Sequence, residues 1–390
     1  MQHYNYIFTG SGLAALLTVY EMIVEQTIAN KTLLLIDIDS KKTNDRTWCF
    51  WDTNNPNDNP KNQFYNSIIS KKWEDTLFAN ATLHKKLDIL PYHYKMLKGL
   101  DVYTFVFNEI SKHHNIYFLQ DEVINFKDLE THCWVQTKKN EYRCDKVFNS
   151  IYKPHFATNQ NKYPLLQQHF IGWFIKTKEP TFNENAATFM DFSVEQKENT
   201  RFMYVLPTSK HEALIEYTLF SKNLLAKEAY ELEIENYIKK LGIKQYQIVE
   251  KEQGNIPMTC YPFWKHNTKN TIHIGSAGGW TKASTGFTFK NAIKKSKLLT
   301  RFLKKESDFT KFHKKNKFWW YDLIFLDVLY KKNELGSTIF SALFQDKNSS
   351  LIFKFLDEET TYFEDLIILA KCPRIIFTKA VLSRIFMVFK

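Results

Sequence analysis

The sequence is short of the residues that make loops and cross-links. Its 390 residues include only 11 glycines, 10 prolines and five cysteines. So little Gly and Pro excludes collagen-like and linker-dominated chains. Cys49, Cys133, Cys144, Cys260 and Cys372 are odd in number and form no CxxC pair. A disulfide framework and a structural zinc are therefore not expected, and a reducing compartment fits. The 12 histidines show no HxxxH or HExxH spacing, so no metal is expected. No GxSxG elbow points to a serine hydrolase. No apolar run approaches the ~20 residues of a spanning helix. The chain opens directly into Tyr4–Phe8 rather than into a signal peptide. The expected location is the cytoplasm, with peripheral contact to the cytoplasmic membrane.

What is abundant narrows the field further. Hydrophobic residues make up 44%, which excludes disorder, and the length is that of two domains or one interleaved pair. Aromatics reach 16%, with 33 Phe, 20 Tyr and 9 Trp, an excess that favours a large apolar site or interface. The balance of 53 basic against 42 acidic residues gives a net charge of +11. Such a surplus suits nucleic acid or an anionic membrane surface. No Lys/Arg run exceeds a pair and no RNP or zinc-finger pattern accompanies the charge, so nucleic acid is not the expected partner.

The first forty residues are the most legible. Tyr4–Thr9 reads as a strand, Leu13, Leu16, Leu17, Tyr20 and Ile23 recur at helical spacing, and Thr32–Ile36 is a buried strand ending at Asp37. Between strand and helix stands Gly10-Ser11-Gly12-Leu13-Ala14-Ala15, a GxGxxA dinucleotide loop. Gly10 allows the tight turn, Gly12 lets the backbone approach a pyrophosphate, and Ala15 lets helix and strand pack closely. The helix N-terminus would hold the phosphates and Asp37 the ribose hydroxyls. The loop lies close to the N-terminus, which favours FAD over NAD.

Further along, a helix is expected near Leu100–His113. Strands are expected at Ile116–Leu119, Val123–Phe126, Cys133–Thr137, Lys146–Ser150, Phe170–Lys176, Ala187–Val194, Arg201–Leu206 and Glu212–Phe220. A polar helix follows over Lys227–Leu241, then a strand at Thr271–Ile274, a second glycine loop, and a helix from about Gly286 to Phe302. Beyond Asp308 the pattern is helical. Asn44–Trp51 reads as an aromatic-rich loop in which Arg46 would bind the flavin pyrophosphate. Gly275, Gly278, Gly279 and Gly286 belong to a segment that resembles the second flavin loop of hydroxylase-like flavoproteins.

The expected fold class is thus α/β (α+β), with a Rossmann-like FAD-binding domain made from residues 1–50, 95–155 and 255–305. A substrate-binding β-sheet domain, 51–94 and 156–254, is inserted, and a helical region, 306–390, closes the substrate site. On the strand Ala213–Phe220, Leu214, Glu216 and Thr218 share one face and Ile215, Tyr217 and Leu219 the other. A carboxylate among so many apolar neighbours is expected to be desolvated, which makes Glu216 a candidate proton donor. Asp191 is a weaker candidate of the same kind. The acidic string Asp357-Glu358-Glu359 reads as a solvated helix face.

Together, Gly10–Ala15, Leu33–Asp37, Asn44–Trp51, Leu166–Trp173, Leu206–Phe220 and Gly275–Phe289 resemble the bacterial lycopene β-cyclases. That resemblance implies a flavoprotein, peripheral at the membrane, that needs reduced FAD, with NAD(P)H as reductant, but no net redox turnover. By resemblance Glu216 takes the role of the family's catalytic acid, and Tyr217 stands where relatives often carry a second acid. The implied substrates are lycopene and other ψ-end carotenoids. A flavin monooxygenase or other carotenoid-modifying oxidoreductase on the same fold, and a carrier that merely retains the flavin site, are the rival expectations.

Overall fold

A computed structural model describes residues 1–53, 60–346 and 348–388. Its first sheet is built on the Gln2–Thr9 strand, which lies parallel to Leu33–Asp37 on one side and to Glu141–Asn149 on the other. Ile116–Gln120 extends one edge, while Cys133–Thr137 and Val123–Asp128 extend the other in antiparallel fashion. Thr271–His273 returns from far along the chain to pair in parallel with Glu141–Asn149. The continuous run Leu33-Leu34-Leu35-Ile36 is buried throughout, as a strand covered on both faces must be. On one of those faces the helices Leu13–Val24, Gly99–Ile110 and Phe289–Leu303 pack into a single core.

The second sheet runs in the order Tyr246–Met258, Leu166–Thr177, Glu212–Ser221, Thr200–Pro207, Ala186–Asp191, Asp75–Ala79 and His84–Leu87. One face carries Ile215, Tyr217 and Leu219 against Tyr230, Ile234 and Ile238 of the helix Lys227–Lys240. The opposite face, with Leu206, Leu214 and Phe220, packs under the C-terminal helices Lys317–Lys331, Gly336–Leu343, Ser350–Leu356, Tyr362–Leu369 and Arg374–Val388. A small third sheet joins Thr47–Thr53, Tyr92–Lys98 and Lys71–Trp73.

Three local expectations are corrected. Asn44–Trp51 is only partly a loop, because Thr47–Thr53 pairs antiparallel with Tyr92–Lys98 and so anchors its aromatics in a sheet. Tyr246–Met258 is an unanticipated strand of 13 residues; it lies at a sheet edge, so its outward positions are polar and no apolar run marks it. The acidic string is a solvated face only at Glu359, which is exposed. Asp357 is buried, and its carbonyl accepts from Lys294 Nζ. Glu358 pairs with buried Lys282 at 3.3 Å, and Glu359 pairs with Lys294 at 2.7 Å. Glu358 thereby ties this segment to the second glycine loop, and Glu359 ties it to the helix Phe289–Leu303.

Candidate active site

The two glycine segments meet. Gly275 has φ +59°, and a Cβ there would lie 3.1 Å from Ala14 Cβ, so the second loop rests on the first helix. Gly10, at φ +97°, makes the tight turn after the first strand, where a Cβ would strike Ser150 Oγ at 2.2 Å. The helix Leu13–Val24 then opens at Gly12 with no side-chain cap and no acid in its first turn. Its N–H groups are left for an anion. A Cβ at Gly12 would meet nothing within 4 Å, so this backbone faces open space. Asp37 stands beside the loop, accepting from Ser11 N at 2.6 Å and Ser11 Oγ at 2.9 Å. Ala15 is fully buried behind it.

From this loop a cavity of about 390 Å³ runs toward the second sheet. Gly12, Arg46, Ser276 and Gly286 line it together with Glu216 and Glu252. Trp48, Tyr94, Phe170, Tyr204 and Phe287 supply aromatic walls. Gln168 Oε1 and Thr285 Oγ1 line it too, buried and without a hydrogen-bond partner among the described residues. An uncapped helix end, a glycine facing open space and orphaned polar atoms fit a bound dinucleotide with a polar ring system. Gly278 and Gly279 do not line this cavity: a Cβ on Gly278 would meet the His273 carbonyl oxygen at 2.0 Å, and exposed Gly279 takes a left-handed φ of +67°. Their part is to shape the turn.

Glu216 is 8% exposed. Burial pushes its carboxyl well above the ordinary range, and the nearby charge of Glu252 pushes it in the same direction. Thr218 Oγ1 donates to Glu216 Oε1 at 2.6 Å. The Glu252 carboxyl is raised as well, by burial, while Thr47 Oγ1 donates to its Oε2 at 2.7 Å. The two carboxyls lie within hydrogen-bonding reach of each other. Burial also raises the phenols of Tyr94 and Tyr204 and the thiol of Cys49, so the groups around Glu216 are held neutral. The site favours the protonated form of a carboxylic acid, by burial among aromatic faces.

The structure therefore brings Glu216 together with Gly12, Arg46 and Gly286, which belong to segments far apart in sequence. It does not bring Asp191 there. That carboxylate accepts from Tyr237 Oη at 2.6 Å and from Ser193 N at 2.8 Å, on the face covered by the helix Lys227–Lys240. A bulge between Thr188 and Asp191 interrupts the alternation that would have matched it to Glu216. Tyr217 also points to that helix side and accepts from Arg201 Nη1 at 3.1 Å. Sequence reasoning missed Glu252, Tyr94, Tyr204 and Cys49. The polar alternation around Glu250-Lys251-Glu252 was the available signal for the edge strand.

Comparison with curated proteins found no match. Among solved structures, a flavoprotein/dehydrogenase from Cytophaga hutchinsonii is similar at 10% identity, with TM-score 0.64, covering 99% of this chain and 100% of that one. A geranylgeranyl bacteriochlorophyll reductase-like protein from Thermoplasma acidophilum is similar at 10% identity and TM-score 0.61, covering 97% and 98%. A variant of the halogenase PltM in complex with FAD is similar at 10% identity and TM-score 0.56, covering 90% and 78%. These likenesses establish the flavoprotein fold. By sequence, the family described as lycopene cyclase protein matches residues 5–382, and the chain belongs to that family.

Proposed function

We propose that the protein is a lycopene β-cyclase, an isomerase that closes the ψ-ends of lycopene into β-ionone rings. One observation carries the proposal: a single aromatic cavity joins the dinucleotide loop to a buried acid whose proton is held by its surroundings. Glu216 donates that proton to the terminal alkene of the ψ-end. The tertiary cation so formed is closed on by the next double bond, and loss of a ring proton gives the β-ring. Tyr94, Tyr204 and Phe287 exclude water and face the cation, where a desolvated ring contributes on the order of 2 kcal/mol. Gly10–Ala15, Asp37 and Arg46 would hold FAD, which, reduced by NAD(P)H, would supply negative charge to stabilise the cation.

A long hydrocarbon needs room beyond the acid. Tyr204, Thr285 and Phe287 also line a void of about 10 Å³. Thr285, Phe340 and Leu356 line both that void and an apolar cavity of about 60 Å³ beside Ile368 and Leu369. This row leads from Glu216 to the helices Tyr362–Leu369 and Arg374–Val388, whose Phe363, Leu366 and Ile375 are 74%, 65% and 73% exposed. With Arg374 and Lys379 also exposed, this face suits an anionic membrane surface at which an insoluble substrate is taken up. No helix among the described residues is long and apolar enough to cross a membrane.

The test is expression in a lycopene-accumulating host with chromatography and mass analysis of the pigments. Cyclic products of unchanged mass are expected. Products heavier by oxygen would overturn the proposal in favour of a monooxygenase, and unaltered lycopene would indicate a carrier.

A further inference from the structure

We propose that Glu252 is a second catalytic carboxyl, which shares one proton with Glu216 across Gly172 and takes back the ring proton that completes the reaction. This rests on the cyclase function proposed above. Strand register is the first support. Gly172, on the middle strand, is paired with Glu216 on one side and with Glu252 on the other. Directly paired residues point to the same face of a sheet. Three side chains would therefore stand abreast over the cavity, and the middle one is missing. A Cβ on Gly172 would lie 2.8 Å from Leu214 Cδ1, 3.2 Å from Glu252 Cγ and 3.3 Å from Glu216 Cβ. The glycine leaves open the line along which the two carboxyls approach.

The outer contacts support the same arrangement. Thr218 donates to one oxygen of Glu216 and Thr47 to one oxygen of Glu252, which leaves each carboxyl an oxygen for its partner. Tyr94, Tyr204 and Cys49 lie near Glu216 as neutral groups, while the charges of Glu250 and Arg46 act on Glu252 in opposite directions. Two carboxyls this close in so dry a place do not both ionise near neutral pH, so the pair holds one proton.

The proton balance closes on this pair. Glu216 gives its proton to the terminal alkene carbon, and the alkene electron pair forms the new C–H bond. Both carboxyls are then ionised while the tertiary cation exists beside them. The second double bond attacks the cationic carbon, closing the ring and moving the charge to the methyl-bearing carbon. Glu252 removes the proton from the adjacent ring carbon, whose C–H electron pair becomes the ring double bond. The proton returns to Glu216 along the hydrogen bond they share. The carbons that gain and lose a proton flank the same ring carbon, so two carboxyls abreast serve both without moving. Nothing is oxidised or reduced.

Glu252→Gln in the purified, flavin-loaded protein tests this. With lycopene, flavin content and melting temperature should hold while turnover falls by ~10²-fold or more. The residual product should shift from β-rings to isomers in which the cation lost a proton from the other ring neighbour or from the methyl. Wild-type turnover, or slow turnover that yields β-rings only, would overturn the proposal. A second measurement needs no substrate: infrared titration of the protonated carboxyl band. That band should persist to higher pH in the wild type than in Glu252→Gln, and identical titrations would reject the shared proton. If the wild type closes no ring yet the titrations differ, the cyclase function fails and the shared proton stands.

Discussion

Glu216→Gln keeps the size of the side chain and a carbonyl oxygen to accept from Thr218 Oγ1, but removes the transferable proton. Cyclisation should fall ~10²–10⁴-fold with flavin content unchanged, as measured by pigment chromatography on matched protein. The same substitution has a stability signature. A buried carboxyl with a raised folded-state pKa favours folding at low pH and costs stability as pH rises from the ordinary carboxylate range through the raised value. Glu216→Gln should therefore melt higher than the wild type at pH 7–8, and the gap should close near pH ~4. A gap independent of pH would show that Glu216 is not held protonated. Gly12→Val separates folding from cofactor binding. Its Cβ meets no atom within 4 Å, so the fold should tolerate it while bound flavin, read by absorbance, is lost. Asp191→Asn should leave turnover near wild type, because that carboxylate serves Tyr237 on the opposite face.

The elements show how far the sequence could be read. The first β-α-β unit was legible because its strands are buried on both faces and its helix carries a regular apolar stripe. The face shared by Leu214, Glu216 and Thr218 was legible because strand alternation has a fixed period. Glu252 was not, since its half of the site depends on a sheet partner 80 residues away, Gly172, and register between distant strands leaves no local trace. The acidic string was misjudged for a related reason. Lys282, which pairs with its Glu358 at 3.3 Å, comes from another segment and also pairs with Asp322 at 3.1 Å. Lys282→Met leaves both acids without that cation in a dry place, and a loss of ~3–5 kcal/mol is expected from urea unfolding. A loss under ~1 kcal/mol would mean that water reaches the pair.

At the scale of the molecule, charge and exposed apolar surface make separate contributions to membrane contact. The chain carries a net charge of +11, and the last two helices carry the exposed apolar side chains Tyr362, Phe363, Leu366, Ile367, Ile375, Val381, Leu382 and Ile385. Flotation with vesicles separates the two contributions. Binding should be stronger to anionic than to neutral vesicles, and Phe363→Ser with Leu366→Ser should weaken binding to both. Equal binding to the two compositions would remove the electrostatic part. An unaffected double variant would move the docking face elsewhere.

The late return of Thr271–His273 to the first sheet also sets an order of events at the ribosome. The second loop, which rests on Ala14, is made more than 250 residues after the Gly12 loop. At ~5–20 residues per second, that interval is on the order of ten to fifty seconds. During it the nascent chain holds half of a cofactor site and an open parallel edge on Glu141–Asn149. Glu252 emerges shortly before the closing strand, and the C-terminal helices after it. The cofactor pocket is thus completed only once the second loop and the closing strand have been made.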